Sequence, residues 1–262
     1  TIKFNGKFVD AKNKQLFQAK RALSSIRSKK EKLQLPLDIY MNLFDTIVLP
    51  VLLYGSEVWG YEDSEQLEIF FRTFLKNTMK LNKQTPNCMV YGESGRKPLY
   101  IKIRLIMIHF WIKIVTGDEH KLVFPFYKLL RKMHDDKYYT SPWIGKMEEI
   151  FNTCDMQNVW LNPLNFNTEW IKKEISLRLN DIFYQKWQLD IREMNSCSTY
   201  KLFKNDLKLE AYLLKLDSTD RINLCKFRCR NSKIPVIVLG YSIQNIPYEN
   251  RLCTICDLNE IG

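Results

Sequence analysis

Cys253 and Cys256 are separated by two residues, the spacing with which a turn presents two thiolates to one zinc ion. A closed zinc site takes about four ligands around a tetrahedron, and in small knuckles a His and a Cys supply the second pair after a short loop. Between Asp257 and Gly262 neither arrives. The chain opens on Thr1, directly into strand-like residues, and both ends therefore lead us to expect an excerpt of a longer polypeptide. Cys225 and Cys229 form a second close pair, four residues apart and on one helical face with Ile222. Two readings of them stay open: buried apolar packing, or a joint zinc site with Cys253 and Cys256. Arg221, Lys226, Arg228, Arg230 and Lys233 crowd this helix, an environment that favours thiolate and equally suits contact with phosphates.

Other catalytic chemistry lacks parts. The three His, at 109, 120 and 134, have no motif partner, and there is no Gly-x-Ser-x-Gly elbow or phosphate-cradling Gly-rich loop. Asp135-Asp136 and Glu148-Glu149 are the paired acids, the first in a polar turn beside Lys132 and Lys137, the second on an ordinary helical pattern. Metal-dependent phosphoryl transfer needs a second positioned cluster, so both pairs are expected to be surface residues. No catalytic residue is assigned.

The elements that position these residues are mostly helices. Ile2 to Val9 alternates apolar and basic residues about Asn5-Gly6, the pattern of a short β-hairpin. From Ala11 to Leu33, the spacing of Leu16, Ala19, Leu23 and Ile26 predicts an amphipathic helix whose outer side carries Lys14, Arg21 and Lys32. Arg27, Lys29, Lys30 and Lys32 make its last turn strongly positive, where cations complement the helix dipole. Pro36 starts the next helix, through Tyr40, Phe44 and Val48, and Pro50 should kink or end it. Val51 to Trp59 reads as a buried segment in which Gly55 lets backbones approach closely. Asp63 or Ser64 caps a helix to about Leu81, and the Asn, Pro and Gly of residues 82–98 predict a loop.

Leu99 to Thr116 is apolar nearly all round except for a stripe of Lys102, His109 and Lys113, as befits a central core helix. Helices are predicted over 119–134, from Ser141-Pro142 to Cys154, from a Thr168 cap to Trp187, over 200–206 and 209–216, and over 217–230. Pro235 to Leu239 supplies a minor β element near the C-terminus. The expected class is thus all-α, a helical array with a short N-terminal β-hairpin. It divides into a helical domain over 1–118, a helical connector over 119–252 and half a zinc knuckle over 253–262.

Composition narrows the partners. With 40 Lys and Arg against 29 Asp and Glu, the 262-residue chain has a formal charge of +11, which favours polyanions, nucleic acid first and an anionic membrane surface second. At 45% hydrophobic residues it has enough apolar side chains for one large core or two smaller ones. Seven Cys, unevenly spread, do not form a secreted disulfide framework. No apolar run approaches the roughly 20 residues of a membrane span, so no membrane partner is expected.

Leu43-Phe44-Asp45-Thr46-Ile47-Val48-Leu49-Pro50-Val51-Leu52-Leu53-Tyr54-Gly55-Ser56-Glu57-Val58-Trp59-Gly60 resembles the thumb of reverse transcriptases from non-LTR, LINE-like retrotransposons, the jockey-related elements above all. Val90-Tyr91-Gly92-Glu93-Ser94-Gly95-Arg96-Lys97-Pro98-Leu99 is similar to a later block of the same proteins. So is Arg221 to Arg228 leading into Tyr248-Glu249-Asn250-Arg251-Leu252-Cys253-Thr254-Ile255-Cys256. The resemblance spans essentially the whole chain, with residues 231–239 departing from the pattern.

That resemblance implies the thumb and post-thumb connector of an RNA-directed DNA polymerase, ending inside a CCHC zinc knuckle. Zinc would then belong to the full-length protein, through Cys253 and Cys256 and ligands beyond Gly262. Magnesium would sit at palm aspartates in an Ala-Asp-Asp-like turn, which this sequence lacks. The implied partners are an RNA or RNA–DNA template-primer duplex and the upstream fingers and palm of the same polypeptide. The parent protein would be found in nucleus and cytoplasm. A thumb grips backbone rather than bases, so Lys14, Arg21, Arg27, Lys29, Lys30 and Lys32 are the first candidate contacts, and Arg221, Lys226, Arg228 and Arg230 the second. The competing expectation is a helical protein-interaction scaffold derived from such an element.

Overall fold

The computed structural model describes residues 8–62 and 65–230. Its helices are α1 (Val9–Leu33), α2 (Leu37–Leu43), α3 (Leu49–Leu52), α4 (Ser56–Trp59), α5 (Glu65–Thr78), α6 (Asn87–Ser94) and α7 (Leu99–Val115). They continue with α8 (Val123–Asp135), α9 (Pro142–Thr153), α10 (Gln157–Leu161), α11 (Thr168–Glu193), α12 (Tyr212–Lys215) and α13 (Ser218–Arg228). Among the described residues there is no strand, only one antiparallel bridge between Ser94 and Leu209. The all-α class therefore stands. The predicted hairpin lies outside the described residues up to Lys7, and Val9, its last residue, opens α1 instead. The β element at 235–239 and the knuckle residues also lie outside them.

The chain forms two compact units. The first takes the described residues of Thr1–Phe71 and Lys97–Lys186. In it, α1 buries Ala19 and Ile26 against α2, α3 and the turn between them, as the apolar spacing requires. Gln34, at φ 47°, closes α1 in a left-handed cap, donating its N–H to the Lys30 carbonyl.

Pro50 does not end the second helix. Phe44–Val48 widens into a π-helical turn, in which the Leu49 N–H reaches the Phe44 carbonyl, and α3 then continues through Pro50 to Leu52. The ring of a helical proline collides with the carbonyl four residues earlier, and a wider turn just ahead of it relieves that clash. Gly55 also works otherwise than expected: its φ of 75° makes the left-handed corner that starts α4.

The centre of this unit is α7, with Met107, Ile108 and Trp111 completely buried. Trp111 packs in tilted contact with Phe151 and Trp160 at centroid distances of 4.8 and 5.7 Å, and its Nε1 donates to the Tyr127 hydroxyl at 2.9 Å. Lys102, His109 and Lys113 form the predicted solvent stripe. At α11 the cap is Asn167 rather than Thr168: the Asn167 Oδ1 accepts the N–H groups of Glu169 and Trp170.

The second unit takes the described residues of Arg72–Arg96 and Trp187–Gly262. Its main departure from expectation is α6, inside the segment read as a loop. Cys88 through Ser94 are all buried, so this helix has no polar face and no amphipathic period for a sequence pattern to reveal. Trp187 anchors it by donating to the Cys88 carbonyl at 2.8 Å. Asp217 caps α13, accepting from the N–H groups of Thr219 and Asp220.

Candidate nucleic-acid interface

On α1, side chains at 14, 21, 25, 28 and 32 share one stripe, roughly opposite Ala19 and Ile26. Lys14, Arg21 and Lys32 are exposed along it, and Lys29 is exposed beside it. Arg21, Lys29 and Lys32 line a shallow groove of about 550 Å³ with the hydroxyls of Ser24, Ser25 and Ser28. The stripe from Lys14 to Lys32 is about 27 Å long at the ~1.5 Å rise of a helix. Charged and hydroxyl donors on one face can meet several phosphate oxygens at once.

Two predicted α1 contacts are partly diverted. Lys30 places its ammonium 4.3 Å from the centroid of the Tyr40 ring, turned towards α2, and burial pushes the Tyr40 hydroxyl up from its ordinary value. Arg27 pairs with Glu31 at 3.3 Å on the open surface, where ion pairs are weak and a stronger polyanion competes readily.

The second predicted cluster is not one surface. Arg228 turns into the unit, where its Nε and Nη2 donate to both carboxylate oxygens of Glu93 at 3.0–3.1 Å. Glu93 has no exposure to solvent at all. Tyr212 donates its hydroxyl to the same carboxylate at 2.5 Å, and Glu210 reaches Arg228 at 3.3 Å. The buried ammonium of Lys204 pairs with Glu210. Two acids thus face two bases, and the Phe203 and Tyr212 rings lie 4.4 and 5.3 Å from the guanidinium. Arg228 is therefore withdrawn from the expected phosphate contacts: its Nε and Nη2 donors serve a buried carboxylate rather than solvent. Arg230 donates to the Ser198 hydroxyl at 3.1 Å, while Arg221 and Lys226 are half-exposed.

Glu93 carried no sequence assignment of its own. The signal was there: an acidic residue between Tyr91 and Gly95, in a stretch where small residues permit close packing. Its partner lies 135 residues later and could not be read from spacing. The Ser94–Leu209 bridge and the Glu210 N–H donated to the Glu93 carbonyl hold the two strands of chain together here.

Cys225 and Cys229 are buried, as the packing alternative has it. Their hydrogen bond and burial push the Cys229 thiol well above its ordinary value, opposing the effect expected of the nearby cations. Among the described residues no group of three or more His, Cys, Asp and Glu is placed to hold a metal. Cys253 and Cys256 fall outside the described residues. The acids have cationic neighbours: Asp135 takes Arg131 at 2.9 Å, and Glu149 takes Lys146 at 2.9 Å. His134 sits between Thr140 at 3.0 Å and Glu148 at 3.1 Å. Burial, then the Lys172 charge, lowers the His109 pKa from its ordinary value.

No family model matches the chain, and no curated protein or solved structure matches it.

Proposed function

We propose that the chain binds an RNA or RNA–DNA template-primer duplex through the phosphate backbone, without sequence preference, as the non-catalytic thumb and connector of a reverse transcriptase. The observation that carries this reading is the exposed basic stripe on α1, from Lys14 through Arg21 to Lys32, with a serine-lined groove beside it. A polymerase must hold any sequence while sliding, and backbone contact supplies such a grip. The formal charge of +11 and the resemblance of residues 43–60 and 90–99 to non-LTR elements support it further. The upstream fingers and palm would provide the magnesium site and the chemistry. Zinc would belong to the knuckle that Cys253 and Cys256 begin.

Replacing Lys14, Arg21 and Lys32 together with Glu tests the reading. Duplex affinity should collapse while the helical content is kept; unchanged affinity would remove α1 from the grip.

One observation favours a second reading, a helical protein-interaction scaffold. The first unit has an apolar hollow of about 230 Å³ walled by Val58, Phe110, Val123, Phe126 and Trp143, with Phe126 63% exposed at its edge. A scaffold would lose partner binding on Phe126→Asp and keep whatever duplex affinity it had.

A further inference from the structure

In the second unit, Cys88 from the first turn of α6 and Cys197 from the turn Asn195–Cys197 bring their sulfurs to 3.5 Å across 109 residues of sequence. Both are buried and both are free thiols. Met194 lays its sulfur 3.7 Å from that of Cys88 and is itself 44% exposed, so the pair lies under one flexible thioether at the surface.

We propose that Cys88 and Cys197 are an oxidisable pair that a hydroperoxide converts to a disulfide. The geometry distinguishes them from every other described cysteine. Cys154 has no thiol neighbour among the described contacts, and Cys225 and Cys229, although hydrogen-bonded, lie four residues apart at the end of one helix, Cys229 being its C-cap. Side chains at that helical spacing keep their Cβ atoms about 5–6 Å apart, beyond the roughly 3.5–4.5 Å a disulfide spans. Cys88 and Cys197 come from separate segments, and a short turn can close the remaining distance without unwinding a helix.

The two sulfurs are also unlike. The hydrogen bond shared with Cys88, with help from Ser196 and the Arg230 charge, lowers the Cys197 pKa, while the same bond and burial raise that of Cys88. Cys197 is then the attacking thiolate and Cys88 the resolving thiol. In the first step the Cys197 sulfur attacks the terminal oxygen of the hydroperoxide. The O–O bond breaks, the alcohol leaves with the proton that Cys197 gave up, and Cys197 becomes a sulfenic acid. In the second, the Cys88 sulfur attacks that sulfur, the S–O bond breaks, and hydroxide leaves as water with the Cys88 proton. One hydroperoxide is reduced, and two thiols are oxidised. The product ties α6, which carries Glu93, to the 195–197 turn, and a thiol reductant reverses it.

The test uses the reduced full chain treated with hydrogen peroxide, alkylated, digested and mapped by mass. The expected result is a joined pair of peptides carrying Cys88 and Cys197, lighter by two hydrogens and absent after reductant. The oxidised chain should also unfold at higher urea than the reduced one. Cys88→Ser should abolish the joined species and leave alkylation of Cys225 and Cys229 unchanged. Full alkylation of both cysteines after peroxide, a disulfide confined to Cys253 and Cys256, or the same yield of the 88–197 link from urea-unfolded chain would each overturn the proposal.

Discussion

Arg228 holds both carboxylate oxygens of Glu93, and the pair joins the two stretches, 90–99 and 221–228, whose residues carried the resemblance in its second half. A carboxylate without solvent exposure is costly unless its lone pairs are filled, and here a guanidinium and a tyrosine hydroxyl fill them. The pair is consequently a structural device, and its cation is not one of the ligand contacts.

Removing Arg228 leaves the Glu93 carboxylate buried without a cation, while removing Glu93 leaves Arg228 with Glu210 alone. Arg228→Ala should destabilise the chain by about 3–5 kcal/mol in urea unfolding, with Glu93→Ala similar. The double variant Glu93→Ala with Arg228→Ala should lose much less than the sum of the two singles, since the second substitution removes the charge that the first leaves uncompensated. Additive losses would show that the two side chains do not interact.

Two glycines flank Glu93 where side chains do not fit. A Cβ on Gly95, at φ 62°, would meet the Leu209 nitrogen at 2.2 Å, and one on Gly92 would meet the Tyr200 hydroxyl oxygen at 2.4 Å. Gly95→Ala combines backbone strain with a clash against main chain, so it should cost more than Gly92→Ala, which falls in the roughly 1–3 kcal/mol of an overpacked core. Thermal unfolding of the two variants side by side measures the order.

Alkaline pH should weaken the fold. Burial pushes the Cys154 thiol up to about 11 from its ordinary 9.0, and burial likewise raises Tyr200, with the Glu93 charge adding to it. Because folded-state values exceed unfolded ones, the unfolded chain binds fewer protons at high pH, and this contribution to stability declines as pH rises. Stability is fully present below pH 9.0 for Cys154 and is lost by about 11. Urea midpoints should therefore fall over that interval, and less steeply in Cys154→Ala.

Neighbouring lysines at the end of α1 should behave differently. Lys29 is exposed on the groove and Lys30 lies over the Tyr40 ring. Lys29→Ala should weaken duplex binding several-fold at low salt, and Lys30→Ala should change it less while lowering stability by about 0.5–1 kcal/mol through the lost cation–π contact. Filter binding and urea unfolding of both variants separate the two effects.

The sequence made some elements plain and hid others for identifiable reasons. The helix at Leu99–Val115 was legible because its apolar run is long and its one polar stripe is regular, and Ser141-Pro142 marked the start of α9. Asp217 sits at the start of α13, one residue before its first helical position. The helix at Asn87–Ser94 was hidden because burial on every side erases the period that pattern reading needs. Of the two outcomes expected at Pro50, the helix does not end there, because a wider turn just ahead of the ring accommodates it. On the candidate interface, charge alone marked α1 as a phosphate-contacting helix, but only the fold shows that Lys30 turns towards a ring. Arg228 was read as exposed because nothing within a helical turn of it betrays a carboxylate 135 residues earlier.

Salt dependence of duplex binding bears most directly on the central claim. Binding of a short RNA–DNA template-primer by the whole chain should be readily measurable at low salt and fall roughly a hundredfold between about 50 and 200 mM, as expected for about four phosphate contacts by Lys14, Arg21, Lys29 and Lys32. The log–log slope should shrink when those residues are replaced by Ala. Absence of binding at low salt, or an affinity that salt does not change, would contradict the account.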